Sequence, residues 1–176
     1  MSNPERIVLD AWPILEYYRG HEPSATAVTR LITQDSGPQP IMSVINLAEI
    51  CNAVTKYKGL SDSLFVVWLS EVATIDRPSS DLGILAGRIK TSYHMSLGDS
   101  FAVATAIQHD AVLWTGDAEL LFEGCPWLTH DLRDDDLRSK HAKEIAEGRK
   151  KVSIRPAAMK STFLTNPLQG PPNPNP

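Results

Sequence analysis

Short apolar segments alternate with helical patterns along most of the chain, and this alternation limits the fold more than any other feature. The predicted strands are residues 6–10, 40–43, 72–75, 111–115 and 127–129. The predicted helices are residues 11–19, 23–34, 44–58, 61–71, 79–93 and 97–109. Strands separated by helices are typical of βαβ units, which build a parallel sheet with helices on both faces. We therefore expect an α/β fold.

Composition indicates an ordinary globular protein. The 176 residues, of which 42% are hydrophobic, suit one domain with an appendage. The longest apolar run, residues 64–69, is far shorter than the ~20 residues of a membrane span, and the first residues show no signal-peptide pattern. Cys51 and Cys125 lack metal-ligand spacing and are predicted to be core residues of a cytoplasmic protein.

Charge is distributed unevenly behind the net value of −4. Residues 1–137 hold 9 Lys and Arg against 19 Asp and Glu, whereas residues 138–160 hold 8 against 2. The pattern predicts a compact domain over 1–133 and a basic, partly helical extension over 134–160. A Pro-rich tail over 161–176 cannot form a core and is predicted to be disordered.

Four acids stand near the ends of predicted elements. Asp10 and Asp117 each follow an apolar strand, Glu49 lies early in an apolar helix, and Asp99 lies in the first turn of a helix of small residues. Parallel α/β folds bind ligands beyond the carboxyl ends of their strands. Carboxylates gathered there without a cationic neighbour are unfavourable unless a cation neutralises them. The pattern indicates a divalent metal site and phosphodiester chemistry.

Each acid also has an ordinary structural explanation. Asp10 suits a helix N-cap, and Asp99 suits the acid of a capping box. Asp117 suits the cap of a short helix over 118–122, and Glu49 suits a solvated helix face. No cation stands three or four residues after Glu49, however, and four such acids in one α/β frame favour a shared site.

Four sequence blocks resemble the motifs of a known family. They are Val8–Trp12, Ser43–Glu49, Ser96–Ala106 and Thr115–Asp117. These blocks look like those of PIN-domain nucleases and, more narrowly, of the VapC toxins of toxin–antitoxin pairs. The resemblance spans about residues 5–130, and it keeps the order and spacing of the motifs.

The resemblance implies a three-layer α/β/α sandwich around a mostly parallel sheet of about five strands. It implies an endoribonuclease dependent on Mg²⁺ or Mn²⁺, an antitoxin that blocks the site, and a homodimer. Asp10, Asp99 and Asp117 would be metal ligands, direct or through water, and Glu49 would complete the acidic pocket. Hard oxygen ligands suit these ions. We expect hydrolysis by a metal-activated water that leaves a 5′-phosphate and a 3′-hydroxyl.

Two features depart from the family pattern. Trp12 stands where Ser or Thr is frequent in the family, and the segment after residue 133 exceeds the usual domain. Its basic part, residues 138–160, either contacts RNA phosphates or an acidic partner, or is a solvated helix of mixed charge. Glu119 is either a fifth acid or a solvated side chain.

Two other functions compete with the metal-dependent endoribonuclease. One is a PIN-like module that binds nucleic acid or protein without cutting, which the complete acid set disfavours. The other is a haloacid-dehalogenase-like phosphatase, which also places Asp after its first strand but needs a second Asp two residues later. Trp12 occupies that position.

Overall fold

A computed structural model describes residues 5–34, 37–58 and 63–147. Its strands are β1 (Ile7–Leu9), β2 (Ile41–Ser43), β3 (Thr74–Asp76), β4 (Val112–Thr115) and β5 (Thr129–Asp131). Its helices are α1 (Ala11–Arg19), α2 (Ser24–Thr33), α3 (Val44–Lys58), α4 (Ser63–Val72), α5 (Ser80–Ser92), α6 (Leu97–Gln108) and α7 (Asp135–Ala146). The strands form one parallel sheet in the order β3-β2-β1-β4-β5.

Helices cover both faces of this sheet, because side chains alternate along each strand. Val8 and Leu113 point into a core shared with α5 and α6. Leu9 and Met42 point the other way, into a core shared with α1 to α4. The three-layer α/β/α sandwich with a five-stranded parallel sheet is thereby confirmed.

The small residues of α6 allow it to lie close against the sheet. Gly98, Ala102, Ala104 and Ala106 are all buried. The N-terminus of α6 lies at the carboxyl edge of the sheet, and His109 at its C-terminus accepts a hydrogen bond from Arg6, just before β1. This packing determines how close the first turn of α6 lies to the end of β1.

Two strands and one predicted helix differ from the sequence-based expectation. β3 and β5 begin two residues later than predicted. The indole N–H of Trp127 donates to Leu120 O at 3.2 Å, so Trp127 joins the core instead of starting the strand. Residues 118–120 form a turn, and no helix forms over 118–122. The backbone bonds there run from Leu120 N to Asp117 O and from Leu121 N to Ala118 O, so each spans three residues and not four.

The predicted burial of the cysteines is wrong for Cys51, which is exposed, while Cys125 is half-buried. The buried stripe of α3 is instead made by Asn46, Ile50 and Val54, at intervals of four residues. A polar residue therefore occupies a core position on α3, and Cys51 lies to one side of the stripe.

α7 confirms a helix at the start of the basic extension. Asp134 caps it by accepting a hydrogen bond from Leu137 N at 2.7 Å. The rest of the extension and the Pro-rich tail lie outside the described residues, and the division at 133 and 160 stays a prediction. No described helix has both the length and the apolar character needed to cross a membrane.

Candidate active site

Asp10 lies at the carboxyl end of β1, where it is 2% exposed. Its Oδ1 accepts a hydrogen bond from Ala11 N at 2.7 Å, so it caps α1. Its Oδ2 accepts one from Thr115 Oγ1, at the end of the neighbouring strand β4, at 2.8 Å. Asp10 therefore acts as the predicted cap and also faces the end of β4.

Asp99 enters the same region from the first turn of α6. It forms the capping box in both directions, with Ser96 N donating to Asp99 Oδ2 at 3.0 Å and Asp99 N donating to Ser96 Oγ at 3.0 Å. The capping explanation is thus correct. It does not exclude a role in the site, because Asp99 is nearly buried at the carboxyl edge of the sheet.

Asn46 connects Asp10 to Glu49. Its Nδ2 donates to Asp10 Oδ1 at 3.3 Å, to Glu49 Oε2 at 3.2 Å and to Gly98 O at 3.3 Å. Gly98 has no side chain, and a Cβ there would overlap the Glu49 carboxylate. α3 and α6 are thus close enough to hold Glu49 beside the first turn of α6.

Asp117 follows β4 after one glycine. Its backbone N–H donates to Thr115 Oγ1 at 2.9 Å, and its Oδ1 accepts from Glu119 N at 2.9 Å. The Thr115 hydroxyl therefore bridges Asp10 and the Asp117 backbone. Glu119 is exposed. We call Asp10, Glu49, Asp99 and Asp117 the acid pocket.

Repulsion among these carboxylates shows that they lie in one electrostatic environment. Burial raises the pKa of Asp10 to about 7, and the charges of Asp99 and Asp117 add to this effect. Burial and the Asp117 charge likewise raise the pKa of Asp99, and burial and the Asp99 charge raise the pKa of Glu49. The four predicted residues are therefore brought together, although they come from four different elements.

One cation lies near enough to modify this environment. Lys90, on α5, lowers the pKa of Asp99, although less than burial raises it. Its Nζ donates to Met95 O at 2.9 Å, which fixes it close to the start of α6. The net effect of the surroundings on Asp10, Glu49 and Asp99 is still to disfavour the ionised forms, which a bound cation would reverse.

The donor atoms fit a hard divalent ion. The acid pocket offers carboxylate oxygens together with Asn46 Oδ1, a buried atom that has no hydrogen-bond partner among the described residues. Within the same residues, no three His, Cys, Asp or Glu side chains already converge as a ligand set. The carboxylates of Asp10 and Asp99 instead accept hydrogen bonds from the protein, which leaves lone pairs on their oxygens for an ion.

Sequence reasoning missed Asn46 and Thr115 as members of the site. A signal was present in both cases. Asn46 shares a helix face with Glu49, and Thr115 is a polar residue that closes an otherwise apolar strand immediately before Gly116 and Asp117. Neither signal showed that both side chains bind Asp10, which lies far away in sequence.

The fold and the acid pocket together define the class of protein: a parallel α/β sandwich with clustered carboxylates at the carboxyl edge of its sheet. A family model described as PIN domain matches residues 7–123. The chain belongs to the PIN domain family. No curated protein matches the chain significantly.

Solved structures with the same fold include toxin–antitoxin proteins. A toxin–antitoxin complex from Klebsiella pneumoniae matches with a TM-score of 0.58 at 20% identity, covering 73% of this chain and 98% of that one. VapBC-1 from nontypeable Haemophilus influenzae matches with a TM-score of 0.56 at 19% identity, covering 72% and 97%. VapC20 of Mycobacterium tuberculosis, described as a toxin that cleaves the sarcin–ricin loop, matches with a TM-score of 0.53 at 17% identity, covering 64% and 90%. At these identities the likeness shows the shared fold.

Proposed function

We propose that this protein is an endoribonuclease, dependent on Mg²⁺ or Mn²⁺, that acts as the toxin of a toxin–antitoxin pair. The observation that carries the proposal is the acid pocket, in which four carboxylates from separate elements share one electrostatic environment. Such an arrangement is unfavourable in the absence of a cation and becomes favourable when one binds. Its position at the carboxyl edge of the sheet is where parallel α/β folds bind ligands.

Each acid has a proposed role. Asp10, Asp99 and Asp117 hold the ion, with Asn46 and Thr115 fixing the orientation of Asp10. A divalent ion held by these residues would supply Lewis-acid activation of the water nucleophile and would neutralise charge on the phosphodiester. Glu49 lies beside this position, and its raised pKa suits it to accept a proton from the attacking water.

The biological role is proposed from the fold neighbours. Structures of toxin–antitoxin complexes share this fold over nearly their whole length, and one toxin among the neighbours is described as cleaving the sarcin–ricin loop. We extend this role to the present chain, with RNA as substrate, a cognate antitoxin that covers the acid pocket, and a homodimer as the assembly.

The enzymatic part is tested by incubating the purified full chain with RNA in Mg²⁺, in Mn²⁺ and in EDTA. We expect cleavage with either ion and none in EDTA. Asp10→Asn and Asp99→Asn are expected to abolish cleavage, whereas Asp81→Asn, which removes the same charge at an exposed position on α5, leaves it intact. Cleavage by either pocket variant would refute the site, and RNA binding without cleavage by the wild type would favour a non-catalytic PIN-like module.

The toxin role is tested separately in cells. Induced expression of the wild type is expected to stop bacterial growth, and Asp99→Asn is expected to be harmless. Co-expression of a short open reading frame adjacent to the gene should restore growth and yield a stable complex on purification. Normal growth under induction, with the protein soluble and active in vitro, would contradict the toxin role and leave the nuclease proposal standing.

A further inference from the structure

A cavity of about 290 Å³ lies directly beside the acid pocket, on the side of α7. Asp117 lines both the cavity and the acid pocket. Trp12 and Gly116 form the wall next to it, and Arg133, Lys140 and His141 line the side of α7. This volume is close to the lower end of small-molecule pockets, ~300 Å³, which matches one small ligand group.

Trp12 gives the cavity an aromatic wall. The six-membered part of its indole lies against Gly116, where a Cβ would overlap three of its ring atoms. The side chain is half-buried and is therefore accessible from the cavity. Aromatic side chains in this setting bind nucleic-acid bases by stacking, with little dependence on base identity.

The side of α7 supplies positive charge. Arg133 Nε and Nη2 donate to Asp131 at 2.9 and 2.7 Å, which fixes the orientation of the guanidinium group. Arg138 Nε lies 3.3 Å from the same Asp131 carboxylate, and its Nη1 lies 3.4 Å from Asp135, so both guanidinium groups are held by acids. Among the described residues, Lys140 is exposed and forms no ion pair.

The cavity lining also contains two acids, Asp117 and Glu144, and Glu144 lies 3.8 Å from His141 Nδ1. Lys140 is therefore the lining cation on which the binding of an anion depends. We name Arg133, Lys140 and His141 the basic wall. The arrangement places the ammonium group of Lys140 and an aromatic surface around one cavity that shares Asp117 with the acid pocket.

We propose that this cavity is a subsite for one nucleotide of an RNA strand, next to the phosphodiester that enters the acid pocket. The base stacks on Trp12, and its phosphate is bound by Lys140 together with Arg133. The inference rests on the proposed function and adds to it a binding determinant outside the acids. It also gives α7, which follows the segment matched by the family model, a direct part in substrate binding.

The test measures binding without cleavage, in the Asp99→Asn background with Mg²⁺ present. The probe is a short single-stranded RNA with a fluorescent label, followed by anisotropy over a range of salt concentrations. We expect Lys140→Ala to weaken binding about fivefold at low salt and to reduce the slope of log K against log salt by ~0.7, the value for one phosphate contact. Lys143→Ala is the matched control, because Lys143 is an exposed lysine on α7 that does not line the cavity.

Trp12 provides a second, independent measurement. Trp12→Ala is expected to weaken binding about tenfold, since loss of one stacked base corresponds to roughly 5–150-fold, whereas Trp12→Phe stays within about threefold. The subsite is overturned if Lys140→Ala and Lys143→Ala have the same salt slope, or if the Asp99→Asn protein binds no RNA. The subsite stands and the nuclease proposal fails if binding depends on Lys140 but the wild type does not cleave.

Discussion

The acid pocket and the basic wall lie on either side of Asp117, yet they are built in opposite ways. The acid pocket takes its side chains from four elements, and hydrogen bonds to Asn46, Thr115 and Ser96 hold three of its carboxylates in place. The basic wall has its charges on and just before one helix, and His141 is the only buried residue of that helix. The carboxylates of the pocket are therefore held by contacts from several elements, whereas the wall depends on the local stability of α7.

This difference fits the two kinds of ligand proposed for the two regions, a metal cation in the acid pocket and a phosphate group at the basic wall. A small hard cation needs oxygen atoms in fixed positions, because its binding depends on coordination geometry. A phosphate bound by lysine needs mainly proximity of charge. The same contrast suggests how to separate the two regions experimentally: substitutions in the pocket should change ion binding and stability, whereas substitutions in α7 should change RNA binding alone.

The largest effect is expected at Asp10. In the unfolded chain its carboxyl has its ordinary pKa of 3.8, and in the native state the value is about 7 because of burial and the nearby acids. The native protein therefore binds more protons between these values, so the stability of the metal-free protein falls as pH rises from about 4 to about 7. Asp10→Asn should reduce this fall, to which the raised pKa values of Asp99 and Glu49 also contribute, and should unfold at a higher urea concentration than the wild type at pH 8 in EDTA.

The magnitude is about 1–4 kcal/mol at pH 8, since one pKa unit corresponds to ~1.4 kcal/mol. Adding Mn²⁺ should raise the stability of the wild type more at pH 8 than at pH 5, because binding to the native state competes with protons. Asp81→Asn serves as the control and should follow the wild type. An Asp10→Asn protein that is less stable than the metal-free wild type at pH 8 would show that ionised Asp10 is not under repulsion.

Asn46 gives the next largest effect, and it tests whether the pocket is held by its hydrogen bonds. Asn46→Ala removes the donor shared by Asp10 and Glu49, and loss of a group that orients ligands lowers metal affinity by about 10–100-fold. Calorimetric titration with Mn²⁺ measures this directly. Asn52→Ala, an exposed asparagine on the same helix, should bind Mn²⁺ as the wild type does. Equal affinities for the two variants would mean that Asn46 plays no positioning role.

The features of the site that the sequence predicts are those that depend on neighbouring residues, such as an apolar run that ends in an acid or the spacing of a capping box. An apolar run that ends in Asp10, and another that ends before Asp117, place two acids at the carboxyl edge of any parallel sheet. The spacing of Ser96 and Asp99 specifies a capping box, and the structure contains it. The periodic spacing of apolar residues therefore predicted the three layers of the fold and the helices and strands next to which the four acids lie.

The remaining features depend on contacts between distant segments. Asn46 reaches Asp10 across 36 residues and Thr115 reaches it across 105, so neither bond leaves a periodic signal. Cys51 was expected in the core because it is apolar, but it is exposed. Asn46 is buried on the same helix although it is polar, because its side chain donates hydrogen bonds to Asp10 and Glu49. The cavity at Trp12 exists only because α7 returns to the sheet edge, which the sequence of α7 does not specify.

A substitution at Gly98 tests the geometry of the pocket without lowering the stability of the fold. Alanine favours a helix over glycine by ~1 kcal/mol, so Gly98→Ala should keep or raise the stability of α6. Its Cβ would nevertheless displace the Glu49 carboxylate, and we expect RNA cleavage to fall about tenfold through loss of Glu49's proton-accepting position. Gly83→Ala, at an open position on α5, is the control and should cleave normally. Full activity of Gly98→Ala would exclude Glu49 from the reaction.

The smallest effect is expected at Asp134, and it tests the independence of the two regions. Asp134→Ala removes the cap of α7, which costs ~0.5–2 kcal/mol of local helix stability, whereas Asp134→Asn retains a capping side chain. Both variants lose the same negative charge, so a difference between them reports the helix and not electrostatics. Amide exchange in α7 should be faster in the alanine variant, with RNA binding about twofold weaker and Mn²⁺ affinity unchanged. A change in Mn²⁺ affinity would show that α7 supports the acid pocket as well as the cavity beside it, because Asp117 lines both regions.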